Sequence, residues 1–202
     1  MRLVVPCVVT ALRVHDHRVI GVETHSGFLP ATSVVVAAGV DAPTLCAPLG
    51  FDLPVAPSPA LLMRLTAPPG LVRTLVATPH IEVRQTADGR LLVAAGYQGE
   101  VDQQDLRRAG EAVRRRLVST FRGADDVRLD DVRLGARPMP VDGLPVIGPV
   151  SGVRGAYVAV MHSGVTLAPA VARLVADEVV HGNRAAELAG VRPDRFQPPQ
   201  GG

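Results

Sequence analysis

The stretch from Gly135 to Gly182, GARPMPVDGLPVIGPVSGVRGAYVAVMHSGVTLAPAVARLVADEVVHG, constrains this chain more than any other. It reads as strand, tight loop, strand, glycine-containing turn and amphipathic helix, and its two joints hold most of the functional information. In the first joint, Arg137-Pro138-Met139-Pro140-Val141-Asp142-Gly143-Leu144-Pro145, the prolines fix φ and Asp-Gly supplies a turn, so Arg137 is held in one place. In the second, Met161-His162-Ser163-Gly164-Val165-Thr166-Leu167-Ala168-Pro169, the chain passes from an apolar strand, Ala156 to Val160, into a helix. Ser163 and Thr166 are both N-cap candidates, and Pro169 is expected in the first turn, where N–H groups lack intrahelical partners. Such a helix start offers free donors and a partial positive charge to an anion or a ring carbonyl.

Leu3 to Val14 is β-rich, and His15-Asp16-His17-Arg18 interrupts it before Val19 to Glu23 resumes, which is a hairpin signal. The His-x-His pair has no third ligand at metal-binding spacing nearby, so a turn is the expected role. After a second turn at Thr24 to Gly27, the continuous apolar run Ser33 to Gly39 predicts a parallel strand buried on both faces, ending at a glycine where backbone can approach a ligand. Asp41 to Leu49 is a short helical segment, and Pro54, Pro57 and Pro59 mark a crossing into another unit. Strands are then expected at Leu61 to Thr66, Leu75 to Ala77, Ile81 to Gln85 and Arg90 to Ala95, with Ala87-Asp88-Gly89 as a hairpin turn.

Leu106, Ala109, Val113 and Leu117 recur at helical spacing and predict a helix over Asp102 to Phe121. It carries Arg107, Arg108, Arg114, Arg115 and Arg116, but interleaved acids and the lack of aromatic residues favour a solvated face over a nucleic-acid surface. The same conclusion follows from a formal charge of only +2 and from 3% aromatic residues with no Trp. Val127 to Ala136 returns as a strand towards Arg137. The last helix, Leu167 to Val180, groups Leu167, Val171, Leu174 and Val175 on one face, sets Arg173 and Asp177 as an i,i+4 pair on another, and stops at Gly182-Asn183. Cys7 and Cys46 lie far apart in apolar contexts, which fits a reducing cytoplasm, and neither a signal peptide nor an apolar membrane span is recognisable.

The run x-Arg-Pro-x-x-x-Asp-Gly-x-Pro-x-Ile-Gly, then an aromatic-containing strand, His-Ser-Gly and Leu-Ala-Pro, resembles the C-terminal part of the FAD-dependent oxidoreductases of the D-amino-acid oxidase, glycine oxidase and sarcosine oxidase family. The hairpin followed by Val-Val-Val-Ala-Ala-Gly and the closing Pro193-Asp194-Arg195-Phe196 extend the likeness over nearly the whole chain. The resemblance implies an α+β fold with a partial FAD-binding domain at 1–50, an antiparallel-sheet substrate domain with one long helix at 51–134, and a return to the FAD-binding domain at 135–202. It also implies oxidation of the C–N bond of an amino acid or secondary amine by hydride transfer to flavin.

By that resemblance Arg137 holds the substrate carboxylate, while Val5, Ala38, Gly39, Gly135, His162, Ser163, Gly164, Val165 and Thr166 lie by the cofactor. No residue is given a catalytic role, and His162 is expected beside the flavin. Gly135 stands where sarcosine-oxidase-like members carry the cysteine that bonds to flavin, so non-covalent FAD is expected. The Gly-x-Gly-x-x-Gly fingerprint that opens the family's first βαβ unit does not occur in these 202 residues. The expectation is therefore an N-terminally truncated chain, an unpaired edge beside the Val34 to Ala38 strand, and a possible partner chain supplying the missing half. Two alternatives stand beside this one: a cofactor-free remnant or protein-interaction module, and a hydrolase using Ser163 and His162, which the lack of Gly-x-Ser-x-Gly disfavours.

Overall fold

A computed structural model describes residues 3–99 and 102–197. The chain forms two compact units, the first made of Met1–Pro57 and Pro138–Gly202 and the second of Ser58–Arg137. The chain changes unit within two long strands, β5 (Val55–Thr66) and β9 (Arg128–Pro140), which is why the changeovers fall later than the proline and glycine signals at 50/51 and 134/135.

In the first unit, β1 (Val9–His15), β2 (Arg18–Thr24) and β3 (Gly27–Pro30) form an antiparallel meander. The hairpin at His15 is made by two residues with positive φ, Asp16 at 46° and His17 at 57°, a pairing that suits the twist of a two-residue turn. Thr24 closes the next turn, its hydroxyl donating to Gly27 O at 2.7 Å and accepting from Ser26 N. The expected strand from Leu3 begins only at Val9. Upstream of it the Val5–Pro6 peptide is cis and Val5 is exposed.

β4 (Val34–Val36) runs parallel to β11 (Ala156–Val160), which pairs antiparallel with β10 (Val146–Pro149), giving the order β10-β11-β4. β4 is thus an edge strand among the described residues, as the sequence led us to expect. Burial on both faces does not hold: Val36 is buried, but Val35 is 40% exposed. The strand is also shorter than its apolar run, because Gly39 turns the backbone at φ 59° into a 3-10 turn and then the short helix α1 (Ala42–Cys46). Leu12, Val19, Phe51, Leu53, Val146 and Val158 fill the core beneath these sheets.

The unit closes with the 18-residue helix α3 (Gly164–His181), for which α2 is given below in the second unit. Ser163 occupies the N-cap position without a side-chain cap bond, and Gly182 terminates the helix at φ 73°. Because the helix starts at Gly164, Pro169 lies inside it rather than in the first turn, and it cannot donate to the carbonyl of Val165. Val171 and Val175 bury against Ile147, Tyr157 and Leu188. Arg173 and Asp177 form no ion pair among the described residues; Asp177 accepts a 3.3 Å hydrogen bond from Asn183 instead.

The second unit is a five-stranded sheet ordered β6-β7-β8-β5-β9, where β6 is Val76–Ala77, β7 is Glu82–Gln85 and β8 is Leu91–Gly96. The β7–β8 hairpin turns at Asp88-Gly89, with Gly89 at φ 84°. The helix α2 (Gln103–Thr120) is capped by Asp102, whose carboxylate accepts from Gln104 N at 2.5 Å. Leu106 and Leu117 from this helix join Leu61, Met63, Leu65 and Val83 in the core, so odd-numbered residues of β5 point inward and even-numbered ones to the other face. Among the described residues no helix is long and apolar enough to cross a membrane.

Candidate functional site

The first unit contains an open apolar groove of about 660 Å³ along α3 and the β11–β4 edge. Val165, Ala168, Ala172 and Ala176 recur at helical spacing along one wall, and Val35, Ala37 and Gly39 form the facing wall. α3 is therefore apolar on two sides, one packed on Tyr157 and Ile147 and the other lining the groove. A helix apolar on both sides is the pattern of an element enclosed between neighbours. Val165 and Val180, 94% and 70% exposed, are the extremes of this uncovered surface.

Of the residues expected beside a cofactor, the groove brings together Gly39, His162, Gly164 and Val165. Ser163 and Thr166 belong to the same helix start and are exposed. The N–H groups of Gly164, Val165 and Thr166 have no carbonyl partner within the helix, whose first capping bond is from Leu167 N to Ser163 O at 3.0 Å. A Cβ at Gly39 would meet only Pro138 Cγ, at 3.8 Å, so its positive φ rather than crowding requires glycine. Ala38 adjoins it as the N-cap of the 3-10 turn. Ser163 Oγ lies 3.4 Å from His162 Nδ1, at the long limit for a hydrogen bond, and both residues are exposed. No three His, Cys, Asp or Glu side chains among the described residues are arranged to hold a metal.

Gly135 and Arg137 lie in the second unit, on β9. Arg137 is half-buried; its Nη2 donates to Ser58 Oγ at 3.0 Å, and its buried Nε has no partner. No carboxylate among the described residues pairs with it, so a guanidinium fork is left with donor capacity and no counter-charge. Gly135 has the Leu62 side chain over it, and a Cβ there would come within 2.8 Å of Leu62 Cδ1. Val5 belongs to neither arrangement, lying exposed ahead of β1.

Sequence reasoning missed a buried ionic cluster at the C-terminal end of α3. Glu178 and Arg192 have side chains 7% and 5% exposed. They form a bidentate pair: Arg192 Nη1 donates to Glu178 Oε2 at 2.7 Å and Arg192 Nη2 donates to Oε1. Tyr157 Oη donates to the same carboxylate at 2.5 Å and Ala185 N at 2.7 Å. The Arg192 guanidinium, with help from these donors, holds the Glu178 carboxyl down at about 2, while burial and the adjacent carboxylate push the Tyr157 hydroxyl up. A depressed folded-state value means that the pair stabilises the fold above the ordinary glutamate range near 4.5 and loses that contribution as pH falls towards about 2. A thermal melting series from pH 6 to pH 2 is expected to show this loss, with a smaller slope in the Glu178→Gln variant. A second tether joins the first joint to the tail, where Arg195 grips Asp142 at 2.8 and 3.1 Å and lies over the Phe196 ring.

The two thiols differ in the same manner. Burial pushes the Cys46 thiol up to about 11, whereas Cys7 is only partly buried. Native protein treated with iodoacetamide at neutral pH is expected to gain one adduct, at Cys7, and a second only in denaturant, as read by mass spectrometry.

The two units, the helix start on an apolar strand edge and the unpaired arginine on an antiparallel sheet have the form of a flavin-dependent oxidoreductase part. Residues 1–178 match the family model described as FAD dependent oxidoreductase, and the chain belongs to that family. It is 31% identical over 164 residues to a glycine oxidase of Pseudomonas aeruginosa, covering 79% of this chain and 45% of that protein. It is 33% identical over 201 residues to a D-amino acid dehydrogenase of Cereibacter sphaeroides, covering 95% of this chain and 45% of that one. The crystal structure of glycine oxidase from Geobacillus kaustophilus superimposes with a TM-score of 0.83 at 27% identity, over 95% of this chain and 53% of that one. The chain thus spans about half the length of the relatives it matches.

Proposed function

We propose that this chain forms the carboxylate-binding and flavin-flanking part of an FAD-dependent oxidoreductase acting on the C–N bond of an amino acid or secondary amine. The observation that carries the reading is Arg137, whose guanidinium has a buried unpartnered Nε, one hydroxyl contact and no carboxylate. A planar fork in that state fits a substrate carboxylate, which it would orient as well as bind.

The residues present fit non-covalent FAD. Gly39 offers backbone free of a side chain, and the start of α3 offers three unpartnered N–H donors beside an apolar groove of isoalloxazine-compatible character. Gly39, His162, Ser163, Gly164, Val165 and Thr166 would hold the cofactor, with Ala38 behind the turn, and Gly135 leaves no thiol for a covalent bond at that position. When bound, FAD supplies the acceptor for the hydride that leaves the substrate α-carbon. The helix start favours negative charge developing next to it through its donors and dipole. Arg137 fixes the carboxylate end of the substrate and hence the α-carbon. His162 has no carboxylate to orient it among the described residues and needs no base function, since a neutral amine loses hydride without one.

The open β4 edge and the second apolar side of α3 support a further element of this reading. A βαβ segment bearing the Gly-x-Gly-x-x-Gly fingerprint, on the same or a partner polypeptide, would pair with β4 and cover Val35, Val165 and Val180. Two unpaired cysteines accord with a cytoplasmic setting. The reading is tested by anaerobic addition of glycine, D-alanine or sarcosine to flavin-loaded protein. Bleaching of the oxidised-flavin band by at least one supports it, and failure of a broad amine panel to bleach a fully loaded protein refutes it.

A further inference from the structure

The second unit has a face that neither α2 nor any other part of that unit covers. Strand register places Arg84, Leu92 and Arg64 in one row across β7, β8 and β5, with Glu82, Ala94 and Leu62 in the next. All six line one cavity of about 400 Å³. Leu62 is 50% exposed, and Leu75, another lining residue, is 65% exposed. Arg133, also in the lining, is already paired with Asp131 at 2.8 Å, whereas Arg64 and Arg84 make no ion pair or hydrogen bond among the described residues.

We propose that this face is a binding site for an aliphatic monocarboxylate, held by Arg64 and Arg84 over Leu92 with its chain on Leu62, Ala94 and Leu75. The charge balance sets the class. With Asp131 and Arg133 neutralising each other, two free arginines against Glu82 leave one net positive charge, which matches a single carboxylate better than a dianion. Arg64 and Arg84 stand two strand spacings apart, about 10 Å between their backbones, within reach of one anion for two long flexible side chains. The apolar positions between and beside them require a ligand that is not merely an ion, because half-exposed leucines gain from being covered only by carbon. This site is independent of the flavin reading, since it uses neither Arg137 nor the groove along α3.

The test uses the full chain carrying Arg137→Ala, so that the other unpaired arginine cannot supply the binding. Hexanoate, acetate and hexan-1-ol are titrated by calorimetry, with circular dichroism confirming the fold of each variant. Hexanoate is expected to bind more tightly than acetate or hexan-1-ol. Adding Arg64→Ala and Arg84→Ala should weaken hexanoate about tenfold or more, and Leu62→Ser should weaken hexanoate but leave acetate unchanged. Absence of hexanoate binding, equal binding of acetate, or hexanoate affinity unmoved by the paired arginine substitutions overturns the proposal.

Discussion

Arg192→Met is expected to destabilise the protein by about 3–5 kcal/mol, the range for removing one partner from a buried ion pair. The substitution leaves the Glu178 carboxylate, 7% exposed, with only Tyr157 Oη and Ala185 N as donors. It also removes the Arg192 Nη2 bond to Ala185 O at 3.0 Å, and with it the tether between α3 and the C-terminal turns. For a chain of this size the loss corresponds to a fall of roughly 10 °C in melting temperature. The double variant Glu178→Gln with Arg192→Met should recover part of it, since an amide costs less to bury than an unpaired charge. Equal melting temperatures of Arg192→Met and the unaltered protein would show that the cluster contributes nothing net.

Arg137→Ala should do the opposite: leave stability within about 1 kcal/mol, because the side chain makes one hydroxyl contact and leaves its Nε unsatisfied. In flavin-loaded protein it should lower kcat/KM for a carboxylate-bearing amine by about two to three orders of magnitude, the scale of losing a bidentate charge-assisted pair. Arg137→Lys should restore only part of the activity, since an ammonium keeps the charge but not the fork. Amines lacking a carboxylate should be nearly insensitive to both changes. If Arg137→Ala penalises both substrate types alike, the arginine acts on the fold or the flavin rather than on the substrate.

Much of this was legible in the chain. Asp88-Gly89, Gly182 and the Leu106–Leu117 spacing announce their hairpin, helix end and helix because each depends on local backbone chemistry. Arg137 was legible through its Arg-Pro context. Boundaries set by tertiary packing were not: Ser163 begins α3 one turn earlier than the leucines suggest, which moves Pro169 inside the helix, and Arg173 does not meet Asp177 because Asn183 does. The apolar run at Ser33 to Gly39 signals burial that this chain alone does not provide on the Val35 side. Glu178 and Arg192 are 14 residues apart and meet only because Gly182 reverses the chain, so no sequence period marks them. Arg64 and Arg84 likewise share a face only through the register of β7, β8 and β5.

The central claim is that the start of α3 and the β4 edge form one side of an FAD site. It is tested most directly by the visible absorbance spectrum of the purified protein after adding FAD and removing the excess, alone and with a fingerprint-bearing βαβ segment from a relative. The account predicts little retained flavin for the chain alone and near-stoichiometric retention with the segment, abolished by a bulky substitution at Gly39. A folded mixture that retains no flavin, or retention indifferent to Gly39, would contradict it.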